Sequence, residues 1–161
     1  MQNKYKLPPD VRRTVISLAQ GYNRRKKELI QKENEICSVS GGKYETIHNP
    51  EDWHKDVRVY MPSVRGTVVS VIETQAGELF KLHESFDYRC NKSIDKALEE
   101  LQLDSYNKEL SEKVKKTIIV SCEKGRDFSF ERSGIDGISK PTFYRLRSQF
   151  LYLLAKKLEY I

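Results

Sequence analysis

The fold of this 161-residue chain is decided by the stretch Gly137-Ile138-Ser139-Lys140-Pro141-Thr142-Phe143-Tyr144-Arg145-Leu146-Arg147-Ser148-Gln149-Phe150. Ser139 is a favourable helix N-cap, and Pro141 falls in the first turn, where its missing N–H is harmless. Apolar residues recur from there at three- and four-residue intervals, at Phe143, Leu146, Phe150, Leu154 and Leu158. The spacing predicts a helix from Ser139 to about Leu158 with one buried stripe.

The opposite face of this predicted helix is basic and rich in hydroxyl groups. It carries Lys140, Thr142, Tyr144, Arg145 and Ser148. Such side chains hydrogen-bond to phosphates and base edges, and the first turns of a recognition helix are the part that enters the DNA major groove. Contacts that position the helix on the sugar–phosphate backbone would come from Arg147, Lys156 and Lys157. We therefore expect binding to double-stranded DNA.

The positive charge supports this expectation. The chain has a net charge of +6, yet residues 1–112 contain 18 Lys and Arg against 18 Asp and Glu, whereas residues 113–161 contain 11 against 5. The whole excess lies in the last third, which indicates a polyanion-binding end. A basic helix surface that is merely solvated is the alternative.

Upstream, the apolar spacing predicts further helices. One runs from Pro9 to Ile36, with Gly21 as a weak point. It contains the basic run Arg24-Arg25-Lys26-Lys27, for which there are two interpretations: a contact with phosphate, or the solvent-exposed face of the helix. A second helical pattern covers residues 67–101, either unbroken or interrupted near residues 91–93. Its apolar side chains, Phe80 and Phe86 among them, are predicted to form a core.

Two stretches read less clearly. Asp104-Ser105 offers a cap for a helix that ends at Lys124-Gly125, although the β-branched run of residues 117–120 is compatible with a strand. A short element is then predicted at residues 129–132. Residues 38–65 contain prolines and lack a regular period, so we expect an irregular insertion there, in which residues 57–60 alternate and could form a short strand or an extended arm.

These patterns together predict an all-α helical bundle with a C-terminal helix-turn-helix. Residues 1–103 are interpreted as a helical body and residues 104–161 as the DNA-binding region. The C-terminal region resembles the helix-turn-helix of bacterial sigma factors and the small phage transcriptional regulators of the ArpU and RinA type. Residues 116–125 are similar to the scaffold helix, and Gly137-Ile138-Ser139 with Phe143, Leu146 and residues 151–158 is similar to the turn and recognition helix.

The resemblance implies sequence-specific promoter binding, generally in the activation of late phage genes. One departure from the motif is the short spacing between Ser129 and Gly137, and another is Gly134, which falls where the first helix of the motif should be continuous.

Other classes of function find little support in the sequence. Cys37, Cys90 and Cys122 are far apart, and no acidic, His or Cys set has the spacing of a catalytic or metal site. Gly41-Gly42 is not a phosphate-binding loop. No apolar run approaches the ~20 residues of a membrane span. We expect a cytoplasmic, nucleoid-associated protein without enzymatic activity, metal or cofactor.

The leading interpretation is a sequence-specific transcriptional regulator of phage or mobile-element origin, which inserts the helix from Ser139 into the major groove. RNA polymerase and a second copy of the chain are the further candidate partners. Two alternatives stay open. One is a phage packaging protein similar to a small terminase subunit, which would assemble as a ring. The other is an adaptor that binds a protein such as RNA polymerase without reading DNA itself.

Overall fold

The computed structural model describes residues 5–38, 43–47, 57–61 and 68–161. The elements in these ranges are α1 (Pro9–Gln20), α2 (Tyr22–Ser38), β1 (Lys43–Ile47), β2 (Val57–Met61), α3 (Val68–Glu84), α4 (Phe86–Glu99), α5 (Lys108–Lys124), a 3-10 turn (Gly125–Asp127) and α6 (Lys140–Lys157). The predicted all-α class is confirmed. Among the helices described, none is both long and apolar enough to cross a bilayer.

The chain divides into two compact units, which differ in charge. The first comprises residues 1–26 and 89–161, and the second comprises residues 27–88. The boundary predicted between residues 103 and 104 falls inside the first unit. The first unit has 22 Lys and Arg against 12 Asp and Glu, a net charge of +10, and the second has 7 against 11, a net charge of −4.

One hydrophobic core fills the first unit. Side chains with no exposed surface come from α1, α4, α5 and α6, and they are Val15, Ala19, Ile94, Ala97, Val114, Ile118, Cys122, Phe143, Phe150, Leu154 and Ala155. In α1, α4 and α5 these residues recur at three- and four-residue intervals, and in α6 the buried Leu146 lies between Phe143 and Phe150, so each helix buries one stripe. α1 packs against both α5 and α6. The helical interpretation of residues 117–120 is confirmed, because Ile118 and Ile119 continue the buried stripe that begins at Val114.

The prediction of one continuous helix from Pro9 to Ile36 is wrong, but the break between α1 and α2 falls at Gly21, the predicted weak point. Gly21 has φ −84° and ψ 0°, and α2 begins at the next residue. The guanidinium of Arg25 lies against Gly21, where a Cβ would collide with its Nη1. The break therefore leaves room for a buried arginine from the following helix.

The break predicted near residues 91–93 is also wrong, because α3 ends and α4 begins at Ser85. The Ser85 hydroxyl donates to the carbonyl of Leu82 at 2.6 Å and accepts from the backbone N–H of Tyr88 at 3.3 Å, so it caps α4. Asn91 lies inside α4 with 5% of its surface exposed. Its amide is held by long-range hydrogen bonds, which stabilise an asparagine that is unfavourable in an isolated helix.

The second unit contains the insertion predicted at residues 38–65. Strands β1 and β2 pair antiparallel there, from Lys43 opposite Met61 to Ile47 opposite Val57. The short strand considered for residues 57–60 is thus confirmed as part of β2, whereas the expectation of an irregular segment is wrong for residues 43–47. Residues 39–42, 48–56 and 62–67 lie outside the described residues. Phe80 and Phe86, predicted as core, are 63% and 55% exposed. Their assignment to a core is therefore wrong, and they leave apolar surface on this unit.

The connection between α5 and α6 covers residues 125–139. α5 is capped by Asn107, whose side chain accepts from the Leu110 N–H at 2.7 Å, and not by the predicted Asp104-Ser105. The element predicted at residues 129–132 is a turn and not a helix, and the only 3-10 turn in this described segment comes earlier, at residues 125–127.

Aromatic rings attach this connection to α6. The rings of Phe128 and Phe130 lie 5.6 and 5.3 Å from the ring of Phe143. Gly137, at φ +97°, adopts a conformation that favours glycine, and a Cβ there would lie 3.1 Å from Leu110 of α5. The segment is thus packed against both helices that it joins.

Candidate nucleic-acid interface

The free surface of α6 is confined to its two ends. The helix starts at Lys140 as predicted, with Ser139 as its N-cap and the Ser139 Oγ 3.4 Å from the Thr142 N–H. Lys140, Pro141, Tyr144 and Arg145 are exposed, whereas no residue from 146 to 155 is exposed. α6 is therefore a core helix that presents its first two turns to solvent.

Arg145 is the freest cation on these two turns. It is exposed, and in the described part of the chain it has no hydrogen bond or ion pair. The neighbouring Tyr144 is 38% exposed, and its ring is held edge-on against the buried ring of Phe143 at 5.5 Å. The two side chains thus project from a backbone fixed by the core beneath it.

Lys140 is held by an acidic residue of the preceding connection. Its Nζ lies 2.6 Å from Oε1 of Glu131, and both side chains are more than half exposed. The ion pair lowers the pKa of Glu131 to about 2 and raises the pKa of Lys140. Because the carboxyl pKa is depressed, the pair is intact above pH ~4.5 and is lost as the pH falls through about 2. At neutral pH, Glu131 therefore competes with any phosphate for Lys140.

The two predicted hydroxyl groups are half-buried and bonded within α6. The Thr142 Oγ1 lies 2.9 Å from the Ser139 Oγ, and the Ser148 Oγ donates to the carbonyl of Tyr144 at 2.9 Å. Both groups keep lone pairs for a further partner. Thr142 and Ser148 therefore stabilise the first turns of α6 and project little from its surface.

The three cations that were predicted to contact the DNA sugar–phosphate backbone lie in different surroundings. Arg147 is half-buried, and its Nε donates to the Ser121 Oγ at 2.9 Å, which ties α6 to α5. Lys157 pairs with Glu100, with 2.5 Å between Nζ and Oε1. Lys156 is exposed and has no such partner among the described residues. The structure therefore does not bring these three together into one cluster with Arg145.

Three basic residues that the sequence analysis did not select lie beside α6. A groove between the N-terminal segment, α1 and α6 is lined by Tyr5, Lys6, Leu7, Pro9, Arg12, Arg13, Ile16, Ser148 and Leu151. Among these described lining residues, none is acidic. The rings of Tyr5 and Tyr152 meet edge-on at 5.7 Å, which holds the N-terminal segment against α6. Lys6, Arg12 and Arg13 are all exposed.

A finer division of the charge would have found these residues. Residues 1–26 contain 7 Lys and Arg and one Asp, a net charge of +6, whereas residues 27–112 contain 11 Lys and Arg and 17 Asp and Glu, a net charge of −6. The net charges of the two segments cancel when residues 1–112 are counted together. The structure separates them, because residues 1–26 belong to the first unit and most of the acidic excess belongs to the second.

The basic run of residues 24–27 is used in part to build the fold. Arg25 is 7% exposed, and its guanidinium donates to the Asn91 Oδ1 at 3.0 Å and to the carbonyl of Leu18. Lys26 donates to the Tyr22 hydroxyl at 3.0 Å, which raises the pKa of Lys26. Arg25 in particular belongs to the core and not to an exposed basic patch.

The exposed groups around the start of α6 include cations, the Ser139 hydroxyl and the Tyr144 ring, which suit a binding surface, and the carboxylate of Glu131, which pairs with Lys140. Of the buried thiols, Cys122 has its pKa raised by burial, so it is a poor nucleophile. Among the described residues, no group of three or more His, Cys, Asp or Glu could hold a metal ion.

The chain matches no family model, and no curated protein or solved structure is significantly similar to it.

Proposed function

We propose that this protein is a sequence-specific DNA-binding transcriptional regulator that places the first two turns of α6 in the major groove. The observation that carries the proposal is the exposure of Arg145 and Tyr144 near the capped start of a helix that has no exposed residue from 146 to 155. These residues belong to a unit with a net charge of +10. Positive charge of this size attracts DNA, and protruding side chains can read it.

The dimensions suit such an insertion. A helix with its side chains is about 10–12 Å wide, and the major groove of B-DNA is about 12 Å wide. Because Tyr144 and Arg145 are exposed near the start of α6, the helix would enter with its N-terminal end, as recognition helices do. Arg145 is then the best candidate for a bidentate contact to guanine O6 and N7. Tyr144 would contact a phosphate or a thymine methyl group.

Helices α5 and α6 would be the two helices of the predicted helix-turn-helix. The 15 residues between them exceed the three or four of a standard turn. Phe128 and Phe130 pack this longer connection onto Phe143, and the bond from Arg147 to Ser121 joins the two helices directly. The proposal of a phage or mobile-element regulator of the ArpU and RinA type rests on the residues of α6 and its cap.

Selection of bound sequences from a pool of random DNA duplexes tests this function. We expect one sequence to be enriched and to bind more tightly than a scrambled duplex. Arg145→Ala should weaken binding to the selected duplex by about 1–3 kcal/mol, roughly 5- to 150-fold, and weaken binding to the scrambled duplex much less. Lys156→Ala is the comparison variant, since it removes an exposed cation that is predicted to contact the DNA backbone, so any loss of affinity should be equal for the selected and the scrambled duplex. The proposal fails if no duplex is bound in a salt-dependent manner.

A second candidate function, binding to a protein such as RNA polymerase, is favoured by the apolar surface of the second unit. Phe80, Phe86 and Ile30 are each more than half exposed, and this unit has a net charge of −4. Phe80→Ser with Phe86→Ser should abolish such binding and leave DNA binding intact.

The mass of the protein in solution separates a monomer or dimer from the ring expected of a packaging protein.

A further inference from the structure

We infer that Lys6, Arg12 and Arg13 form a second part of the DNA-binding surface, which contacts the sugar–phosphate backbone beside the base pairs that α6 reads. The inference rests on the proposed function. It assigns a role to the N-terminal segment and α1, whose charges face the same groove as Ser148 of α6.

The groove is continuous with the exposed start of α6. Ser148 lies one turn after Arg145 and Tyr144 on the same helix, and residues three and four apart on a helix have Cβ atoms about 5–6 Å apart. Ser148 also lines the groove with Arg12 and Arg13. The half-buried Ser148 therefore adjoins both the turn of α6 that carries Arg145 and the groove that holds the cations of α1, all within the first unit.

The charges on α1 are free to bind an external anion. Arg12 and Arg13 are exposed, and neither side chain has a hydrogen bond or ion pair within the described residues. The one acidic residue of α1, Asp10, does not line the groove. Planar guanidinium groups bind phosphate with two parallel hydrogen bonds, so this pair suits contacts to two phosphates.

α1 is also rigidly placed with respect to α6. Val15 and Ala19 of α1 have no exposed surface, and the contact between Tyr5 and Tyr152 holds the segment that precedes it. Packed helices have axes about 8–10 Å apart, whereas the major groove is about 12 Å wide. A helix packed beside one that enters the groove therefore lies over the backbone at the edge of the groove.

The salt dependence of binding tests this assignment. Each phosphate that a protein neutralises adds about 0.9 to the slope of log K against log salt. Loss of two contacts in Arg12→Ala with Arg13→Ala should reduce the slope by about 1.8 and the affinity at about 0.15 M salt by about 30-fold. The loss should be the same for a selected and a scrambled duplex, because phosphate contacts carry no sequence information.

Lys92→Ala with Lys96→Ala is the matched control, because it removes two exposed cations of the first unit from α4. Neither lysine lies on α1 or on the two helices of the proposed helix-turn-helix. Arg12→Gln with Arg13→Gln is the second variant, and circular dichroism checks the folding of both arginine pairs. The inference is overturned if wild type binds DNA and the arginine variants match the lysine control. If wild type binds no duplex, the proposed function fails and this inference with it.

Discussion

Gly21→Ala tests the structural reason for the break between α1 and α2. In an ordinary helix interior, alanine is about 1 kcal/mol more favourable than glycine. Here the added Cβ would lie 3.3 Å from Cζ of Arg25 and collide with its Nη1, so the guanidinium must move. Arg25 is 7% exposed and would lose its bonds to Asn91 and to the carbonyl of Leu18.

Hydrogen bonds of a charged group contribute about 1.5–3 kcal/mol each. Loss of both bonds, less the gain from alanine, would come to about 2–5 kcal/mol, and a partial shift of the side chain gives the lower end. We therefore expect Gly21→Ala to lower the free energy of unfolding by about 2–4 kcal/mol. In an Arg25→Met background, which keeps an unbranched apolar stem, the same substitution should be neutral or stabilising by up to about 1 kcal/mol.

Urea denaturation followed by circular dichroism measures the effect of Gly21→Ala on the free energy of unfolding in each background. The difference between the two effects is the coupling energy of Gly21 and Arg25. The m-value should stay constant, so that the change appears in the midpoint. If Gly21→Ala leaves the free energy of unfolding of the wild-type background unchanged, this reasoning is refuted. Equal costs in the two backgrounds would refute it as well, because the cost would then not involve Arg25.

Three further substitutions address the start of α6 and the α2–α4 contact. Glu131→Gln should strengthen DNA binding about fivefold at about 0.15 M salt, the counterion factor for one phosphate, because it releases Lys140. Asp136→Asn in the same connection should have less effect. Ser139→Ala should destabilise the protein by about 1 kcal/mol through loss of the α6 cap. Tyr22→Phe should cost about 1–2 kcal/mol, because the Tyr22 hydroxyl donates to Asp95 at 2.5 Å.

Binding isotherms measure the first of these effects and thermal unfolding the other two. Ser105→Ala controls for Ser139→Ala, because Ser105 is exposed and α5 is capped by Asn107. Tyr160→Phe controls for Tyr22→Phe, because Tyr160 is 43% exposed. Unchanged DNA affinity in Glu131→Gln would mean that Lys140 does not face the phosphates. Stability losses equal to those of the controls would refute the roles of the cap and of the Tyr22 hydroxyl.

The helix from Ser139 was predictable because its signals are local. The cap, the proline in the first turn and the spacing from Phe143 to Leu154 all lie within one segment, and the structure has α6 at Lys140–Lys157. The partners of its side chains were not predictable in the same way. Arg147 bonds to Ser121, which is 26 residues away, and Lys157 pairs with Glu100, which is 57 residues away.

The errors in the upstream helices have the same origin. Asn91 resembles a helix breaker by its propensity, yet it lies inside α4 because Arg25 and the carbonyl of Tyr22 bond to its side chain. Arg25 resembles part of a wet basic face, yet it is buried against Gly21. Both depend on contacts between residues more than 60 positions apart, which periodicity does not register.

The candidate site was predictable in part for the same reason. The predicted face of α6 includes Tyr144 and Arg145, which are exposed. The groove beside it needs Arg12 and Arg13, which come from the other end of the chain. Their proximity to α6 follows from the packing of α1 against α5 and α6, and no spacing within one segment encodes it.

The most direct test of the central claim is a methylation footprint of guanine N7 on the selected duplex, since this atom lies in the major groove. If the first turns of α6 occupy that groove, wild type should protect at least one guanine. Arg145→Ala should lose that protection, while protection of the DNA backbone in a parallel hydroxyl-radical footprint persists. A bound complex with every guanine N7 unprotected, or with the same protection in Arg145→Ala, would contradict the account.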